Sequence, residues 1–299
     1  MPSTATEPAL YEATRRGLQA EPKRLPTVWL YDERGSRLYE EITRLPEYYL
    51  PRREREILRT RAAEIAARTQ ARMLVELGAG AAKNTRFLLD ALDVERFVPV
   101  DVSEEALRES AEAIAAAYPG ISVEPLVGDF ERDLAELPGS RRLIALLGST
   151  LGNLYPKQRT WLLATLGEGD AFLVGLDLVQ DVARLQAAYD NPLTEEFERN
   201  ALTAANRELG ATFDQRRFAY EARWDPEREW MDIGFHAREA HTVSIPRLEL
   251  EVAFERGEWL RVEISAKFRR ERFALEAGLR LDSWWTDSEG DFAVALLTK

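Results

Sequence analysis

The chain has no cysteine, which excludes disulfides, thiolate metal sites and a cysteine nucleophile together. Histidine is nearly absent too. His236 and His241 are the two present, and strand alternation sends residues five apart to opposite faces. No carboxylate is placed to complete a triad with them, so no metal is expected. Positive charge is in deficit: 40 Lys and Arg against 52 Asp and Glu leave a net charge of -12. Such a surface repels phosphate backbones, and nucleic acid is expected as neither substrate nor partner. No apolar run approaches the roughly 18 residues of a membrane span. The opening Met-Pro-Ser-Thr-Ala-Thr-Glu has no basic-then-apolar leader. A cytoplasmic monomer with no membrane partner is expected. There is no Gly-x-Ser-x-Gly elbow, no phosphate loop and no internal repeat.

What is there begins with ample core, since 45% of the 299 residues are hydrophobic, enough for one large or two moderate domains. Short apolar runs at 73-77, 97-101, 122-127, 143-147 and 171-176 read as strands buried on both faces, as a parallel sheet under helices requires. Helices are predicted between them at 84-92, 104-118 and 157-166, after an earlier one at 52-68. Glu104, Glu105, Glu109 and Glu112 form a solvated helix face. After Asp177 the rhythm changes. Helices over 179-190 and 195-209 precede alternating runs at 218-224, 229-237, 241-244, 248-254 and 259-268, which read as an antiparallel sheet. A last helix, 270-277, and two strands, 281-285 and 292-297, make a closing hairpin. The fold class is α/β: a Rossmann-like sheet of seven strands with a C-terminal antiparallel hairpin, interrupted by an inserted α+β domain.

The most informative segment is Met73 to Asn84, a buried strand running into Gly78-Ala-Gly80 and then a helix. Asp101 ends the next strand 21 positions after Gly80, the distance at which a strand-helix-strand unit sets a carboxylate beside a ribose. A dinucleotide fingerprint would place a third glycine at position 83, which is Lys83. A pyrophosphate needs that close approach of the helix; S-adenosylmethionine, which has no phosphate, does not. Glu76 before the turn suits the cationic amino acid end of that methyl donor. An ordinary strand-helix turn is the alternative.

Other strand ends carry further candidates, because ligands of open parallel sheets bind beyond the carboxyl edge. Asp129 can accept from an adenine amine, or it can simply cap the helix before Glu131. Phe130 offers a backbone amide and an apolar wall. The loop from Gly148 to Asn153 brings two glycines and an amide to the edge where a methyl group would be presented. Tyr31, Tyr48, Tyr49 and Tyr189 lie in aromatic-rich or helical text, where a tyrosine is ordinarily core with its hydroxyl satisfied. Glu263 and Ser265 alternate with Val262 and Ile264, so they share one strand face, which by itself reads as solvent-exposed.

Taken in order and spacing, the fragments Tyr31-Asp32, Ile42 to Tyr49, Glu76 to Gly80, Thr85-Arg86, Val98 to Val102, Gly128 to Glu131, Leu147 to Leu154, Asp177 to Val179, Ala187 to Asp190, Glu263 to Phe268 and Trp284 to Asp287 carry a resemblance. From about Leu25 to Lys299 the chain resembles the ergothioneine-pathway histidine Nα-methyltransferases, which form hercynine from L-histidine and S-adenosylmethionine. The resemblance implies a donor-binding domain at 53-179 and 268-299, and a substrate-binding domain at 1-52 and 180-267. It implies that Tyr48, Gly148, Asn153 and Tyr189 hold the amino and carboxylate groups of L-histidine and that Glu263 and Ser265 grip the imidazole. Tyr31 would sit near the amine, where it or Tyr48 serves the proton transfer. Gly78, Asp101, Asp129 and Phe130 match the cofactor-binding positions.

Two positions depart from the family. Asn84 stands where a lysine contacting the cofactor is common, with Lys83 one place earlier. Ile233 stands where some members have a methionine along the substrate wall. Three alternatives stay open: a methyltransferase of this fold acting on another amino acid or amine, a dinucleotide-dependent oxidoreductase, which Lys83 disfavours, and a catalytically silent binding protein.

Overall fold

Apolar runs without polar alternation need cover on both faces, and Met73–Leu77, Arg96–Asp101, Leu143–Leu146 and Ala171–Asp177 receive it, whereas the edge pieces at 122-127 are only partly covered. In the computed structural model, which describes residues 7-80, 82-128, 130 and 141-299, the chain forms two compact units. One is Met1–Tyr48 with Asp181–Ser265; the other is Tyr49–Gln180 with Ala266–Lys299.

The second unit holds the large sheet. Its strands line up as Arg280–Thr286, Phe292–Thr298, Ala171–Asp177, Leu143–Leu146, Met73–Leu77 and Arg96–Asp101, with two short pieces on the far edge. Met73–Leu77 pairs in parallel with both neighbours, so that Leu74 lies between Phe97 and Leu143. Phe292–Thr298 runs antiparallel to Ala171–Asp177, from Phe292 opposite Asp177 to Thr298 opposite Ala171. The edge strand expected at 122-127 is instead two pieces, Ser122–Val123 and Leu126–Val127, both pairing with Arg96–Asp101. Pro125 lies between them and has no N–H to give to a ladder.

Helices cover this sheet. Leu50–Thr69 buries Leu50, Glu54, Ile57, Leu58 and Ile65, a stripe at helical spacing. It ends at Gln70 in the left-handed region. The predicted 179-190 helix starts later, at Val182, because Asp181 caps it by accepting from the Arg184 amide.

The first unit has two separate sheets where a single antiparallel one was expected. Phe218–Asp225, Trp230–Ala237 and Trp259–Ala266 pair side by side, and Lys23–Arg24 adds a parallel edge beyond Trp259–Ala266. His241–Ile245 and Leu250–Phe254 pair only with each other, across a short turn opened by Pro246. Trp259–Ala266 is therefore an inner strand, and all eight of its residues are buried. Arg261, Glu263 and Ser265 are all buried on it, against the solvent-facing reading of Glu263 and Ser265. Arg261 is satisfied there by a two-pronged ion pair with Asp232, both contacts at 2.7 Å.

Pro192–Leu209 lies in the same unit. Asn191 caps it, accepting from the Thr194 amide at 2.9 Å, and Gly210 ends it. Asn200 on this helix donates to Asp32 Oδ1 at 2.7 Å, and Asp32 caps the Glu33–Ile42 helix. That bond ties the segment carrying Tyr31 to the long helix. No helix among the described residues is long and apolar enough to cross a membrane.

Candidate active site

The glycine turn takes the shape that its sequence requires. Gly78 and Gly80 have φ of +67° and +45°, a region in which a side chain is strained. The amides of Gly78 and Ala79 donate to Val100 O, and the Gly80 amide donates to Asp101 Oδ2 at 2.9 Å. Asp101 Oδ1 accepts from the Ser103 amide. Burial pushes the Asp101 carboxyl up from its ordinary range, opposed by these backbone donors. A β-carbon on Gly78 would meet the Phe130 ring at 3.8 Å, so Phe130 walls the exposed side of the turn. Asp129 lies outside the described residues.

Beneath the turn are two buried acids. Glu76 accepts from Thr85 Oγ1, and burial drives its pKa up to about 8, with Glu54 and Asp101 adding repulsion. Glu54, on the Leu50–Thr69 helix, accepts from Asn84 Nδ2 at 2.7 Å and from the Gly148 amide at 2.8 Å, and burial raises it to about 7. Asn84 thus spends its amide N–H on Glu54, while its Oδ1 is buried with no partner. Lys83 is exposed. Glu54 is a residue that sequence reasoning missed. Its only signal was an acid at a position that completes an apolar helix stripe.

Gly148, Ser149 and the short helix Thr150–Asn153 follow the Leu143–Leu146 strand. Ser149 is buried, and its Oγ accepts from the Asp177 amide at 3.1 Å. Gly152 has Ala266 O within 2.9 Å of where a β-carbon would stand, so this loop packs backbone to backbone. Asn153 is half-buried at its end. The structure thereby brings Gly148, Asn84 and the glycine turn together through Glu54 and Glu76.

The aromatic residues gather in the other unit. Tyr31, half-buried, meets Tyr39 edge-on at 5.9 Å between centroids; Tyr39 meets Tyr48 at 6.3 Å; Tyr48 meets Tyr189 at 6.1 Å. The Tyr189 hydroxyl shares a hydrogen bond with Ser265 Oγ at 2.9 Å, and Tyr189 O accepts from the Tyr220 hydroxyl at 2.7 Å. Burial, then the neighbouring phenols Tyr39 and Tyr189, push the Tyr48 hydroxyl well above the ordinary tyrosine range. Glu263, two residues before Ser265 on the same strand face, adjoins Glu198 of the long helix. Ile233 is fully buried on the neighbouring strand. Tyr31, Tyr48, Tyr189, Glu263 and Ser265 are thus assembled into one group from four chain segments. Tyr39, Glu198 and Tyr220 join it, and sequence reasoning had named none of them.

The histidines stay apart. His236 bonds Glu221 at 2.6 Å on adjacent strands, while His241 opens the separate hairpin. No cluster of metal-ligating side chains occurs among the described residues.

Strand order, the antiparallel closing strand, the glycine turn and the acid ending the next strand together define a class I S-adenosylmethionine-dependent methyltransferase. Within that class the chain belongs to the histidine-specific, S-adenosylmethionine-dependent methyltransferase family, whose model matches residues 10–299. It is 47% identical over 305 residues to the histidine N-alpha-methyltransferase of Mycolicibacterium smegmatis, covering 97% of this chain and 95% of that one. The protein of the same name from Mycobacterium tuberculosis is 46% identical at the same coverage. Ergothioneine biosynthesis protein 1 of Neurospora crassa is 31% identical over 93% of this chain, which spans 33% of that longer protein.

Proposed function

We propose that this chain transfers methyl groups from S-adenosylmethionine to the α-amino nitrogen of L-histidine, three times, to give hercynine. The observation that carries the reading is the buried face of Glu263 and Ser265 beside Tyr189. A carboxylate and a hydroxyl set inward two residues apart can accept from and donate to an imidazole, whose two ring nitrogens match them. The unit Tyr49–Gln180 with Ala266–Lys299 is proposed to bind the donor, and the unit Met1–Tyr48 with Asp181–Ser265 to bind histidine.

The donor supplies an already activated methyl on sulfur, so neither a metal nor a covalent nucleophile is needed. The protein's share is alignment, because the reaction is an in-line displacement. Gly78 leaves open backbone for the donor, Phe130 walls it, and Asp101 keeps lone pairs free for ribose hydroxyls while holding Gly80 and Ser103. Glu76 faces the cationic end. Asn84 acts through Glu54 in place of the family lysine. Asp129 takes the adenine amine.

For the acceptor, Tyr48, Gly148, Asn153 and Tyr189 hold the amino and carboxylate groups. Tyr48 keeps its proton at neutral pH, so it presents an O–H donor to the carboxylate and its oxygen to the amine. The amine must lose a proton before it attacks, and half-buried Tyr31 passes it to water. Glu263 and Ser265 select the ring. A side chain without ring nitrogens would forgo the bonds to this pair, at a cost of about 1-3 kcal/mol. Buried Ile233 keeps the remaining wall apolar.

The test is incubation of the protein with donor and the twenty amino acids, followed by product masses. Histidine gaining three methyl groups is the expected result, and another acceptor would redirect the assignment. The same reading has the protein acting as a cytoplasmic monomer, which sedimentation checks for the oligomeric state.

A further inference from the structure

Glu198 has no part in the chemistry described so far, yet it is fully buried, at 0% exposure, on the inner side of the Pro192–Leu209 helix. Neither of its carboxyl oxygens has a hydrogen-bond donor from the rest of the protein. The group it adjoins is the carboxyl of Glu263, itself 7% exposed. Burial and that neighbour hold Glu198 well above the ordinary carboxylate range. The surrounding donors are committed elsewhere. The Tyr220 hydroxyl donates to Tyr189 O, and Ser265 and the Tyr189 hydroxyl bond each other. Arg199, next on the helix, turns to Glu195 and to the carbonyls of Gln215 and Phe218. Two carboxyl groups side by side away from water do not both ionise; they share a proton.

We propose that Glu198 is a positioning residue for the ring end of the histidine site: its carboxyl group donates a hydrogen bond to Glu263 and so fixes which Glu263 oxygen is left to accept a ring N–H. The proposal rests on the reading of Glu263 as the imidazole acceptor. It adds a specificity element on a different chain segment, one that recognises the substrate only through Glu263. What the position requires is a hydrogen-bond donor of glutamate length, not a negative charge.

Two substitutions in the full chain separate the possibilities. Glu198→Gln supplies an amide N–H in place of the acid O–H. Histidine KM within about threefold of wild type is expected, with kcat and donor affinity unchanged. Glu198→Leu removes the donor. Histidine KM should rise about tenfold or more while kcat and calorimetric donor affinity hold, because the bond orients binding and not the reacting atoms. A Gln variant as impaired as the Leu variant, or a Leu variant with wild-type KM, overturns the proposal. The donated bond is also read without turnover. The infrared spectrum of wild type minus Glu198→Gln should contain a protonated-carboxyl carbonyl band; its absence overturns the proposal even where Glu198→Leu fails to fold. Wild-type protein that leaves histidine unmethylated would instead remove the functional reading, while the infrared result would still decide the Glu198–Glu263 bond.

Discussion

Glu263 and Asp101 show how differently single residues declared themselves. Asp101 was legible because its role depends on distance along the chain: strand, turn, helix and strand set the spacing, and the Gly80 amide closes on its carboxylate at 2.9 Å. Replacing Asp101 by Ala should weaken donor binding about tenfold or more and leave histidine KM nearly unchanged. Calorimetry with the donor alone checks this, and unchanged affinity would take Asp101 out of the ribose role. Glu263 looked solvent-facing from alternation alone. Only the packing of Glu198 and Tyr189, from two helices, against this strand buries it. For Glu263→Ala, histidine turnover should collapse with donor affinity close to wild type, as measured by kcat/KM and calorimetry together. Equal loss of both would mark Glu263 as structural. Glu54, Tyr39, Glu198 and Tyr220 were not legible as site residues. Each sits in ordinary helical or strand text and matters through a partner on another element: Glu54 through Asn84 and Gly148, Glu198 through Glu263, and Tyr220 through Tyr189, all far along the chain, and Tyr39 through Tyr31 and Tyr48, which are near in sequence but outside its helix.

At the scale of elements, periodicity marked the parallel strands and their covering helices, since apolar runs and helical stripes are local properties. It gave one antiparallel sheet where there are two, because pairing partners are chosen over long separations. The Trp259–Ala266 strand stays buried because Asp232 neutralises Arg261 and also accepts from Trp259 Nε1 at 3.0 Å. Asp232→Ala would remove the carboxylate that Arg261 Nε and Nη2 both bond, a loss of about 3-5 kcal/mol. Urea denaturation followed by tryptophan fluorescence should show that loss; a change below about 1 kcal/mol would mean water satisfies Arg261. A milder loss is expected from Asn191→Ala, which removes the cap of the helix carrying Glu198 and Asn200 and costs about 1 kcal/mol. Donor affinity should not change, since the cap lies in the other unit.

At the scale of the whole molecule, the acids buried in both units set the pH response. Glu54 and Glu76 have folded-state pKa values near 7 and 8, above the ordinary 4.5. A carboxyl raised on folding binds more protons in the folded than in the unfolded chain between those values. Stability therefore falls as pH rises from about 5 to 8. Asp170 and Asp232, whose carboxyls are held below the ordinary range, contribute the opposite slope only in acid, below about pH 4. The melting temperature of the protein without donor should thus decline from pH 5 to pH 8, and Glu76→Gln should flatten the decline. Donor binding should show the complementary trend. A cationic group beside Glu76 favours the ionised acid, so affinity rises over about pH 6 to 8 with proton release. Calorimetry in buffers of different ionisation enthalpy measures that release, and its absence would separate Glu76 from the donor.

By itself the sequence determined the alternation of strand and helix, the glycine turn with Asp101 in register, and the thiol chemistries closed to a chain without cysteine. These follow from local periodicity, backbone sterics and composition, which neighbouring residues settle among themselves. Tertiary structure alone decided that the polar face of the Trp259–Ala266 strand is interior, that Glu198 meets Glu263, and that Tyr39 links Tyr31 to Tyr48. Burial and pairing between distant segments are set when the chain closes on itself, and no stretch of sequence carries the desolvation that moves these acids and phenols from their ordinary ionisation.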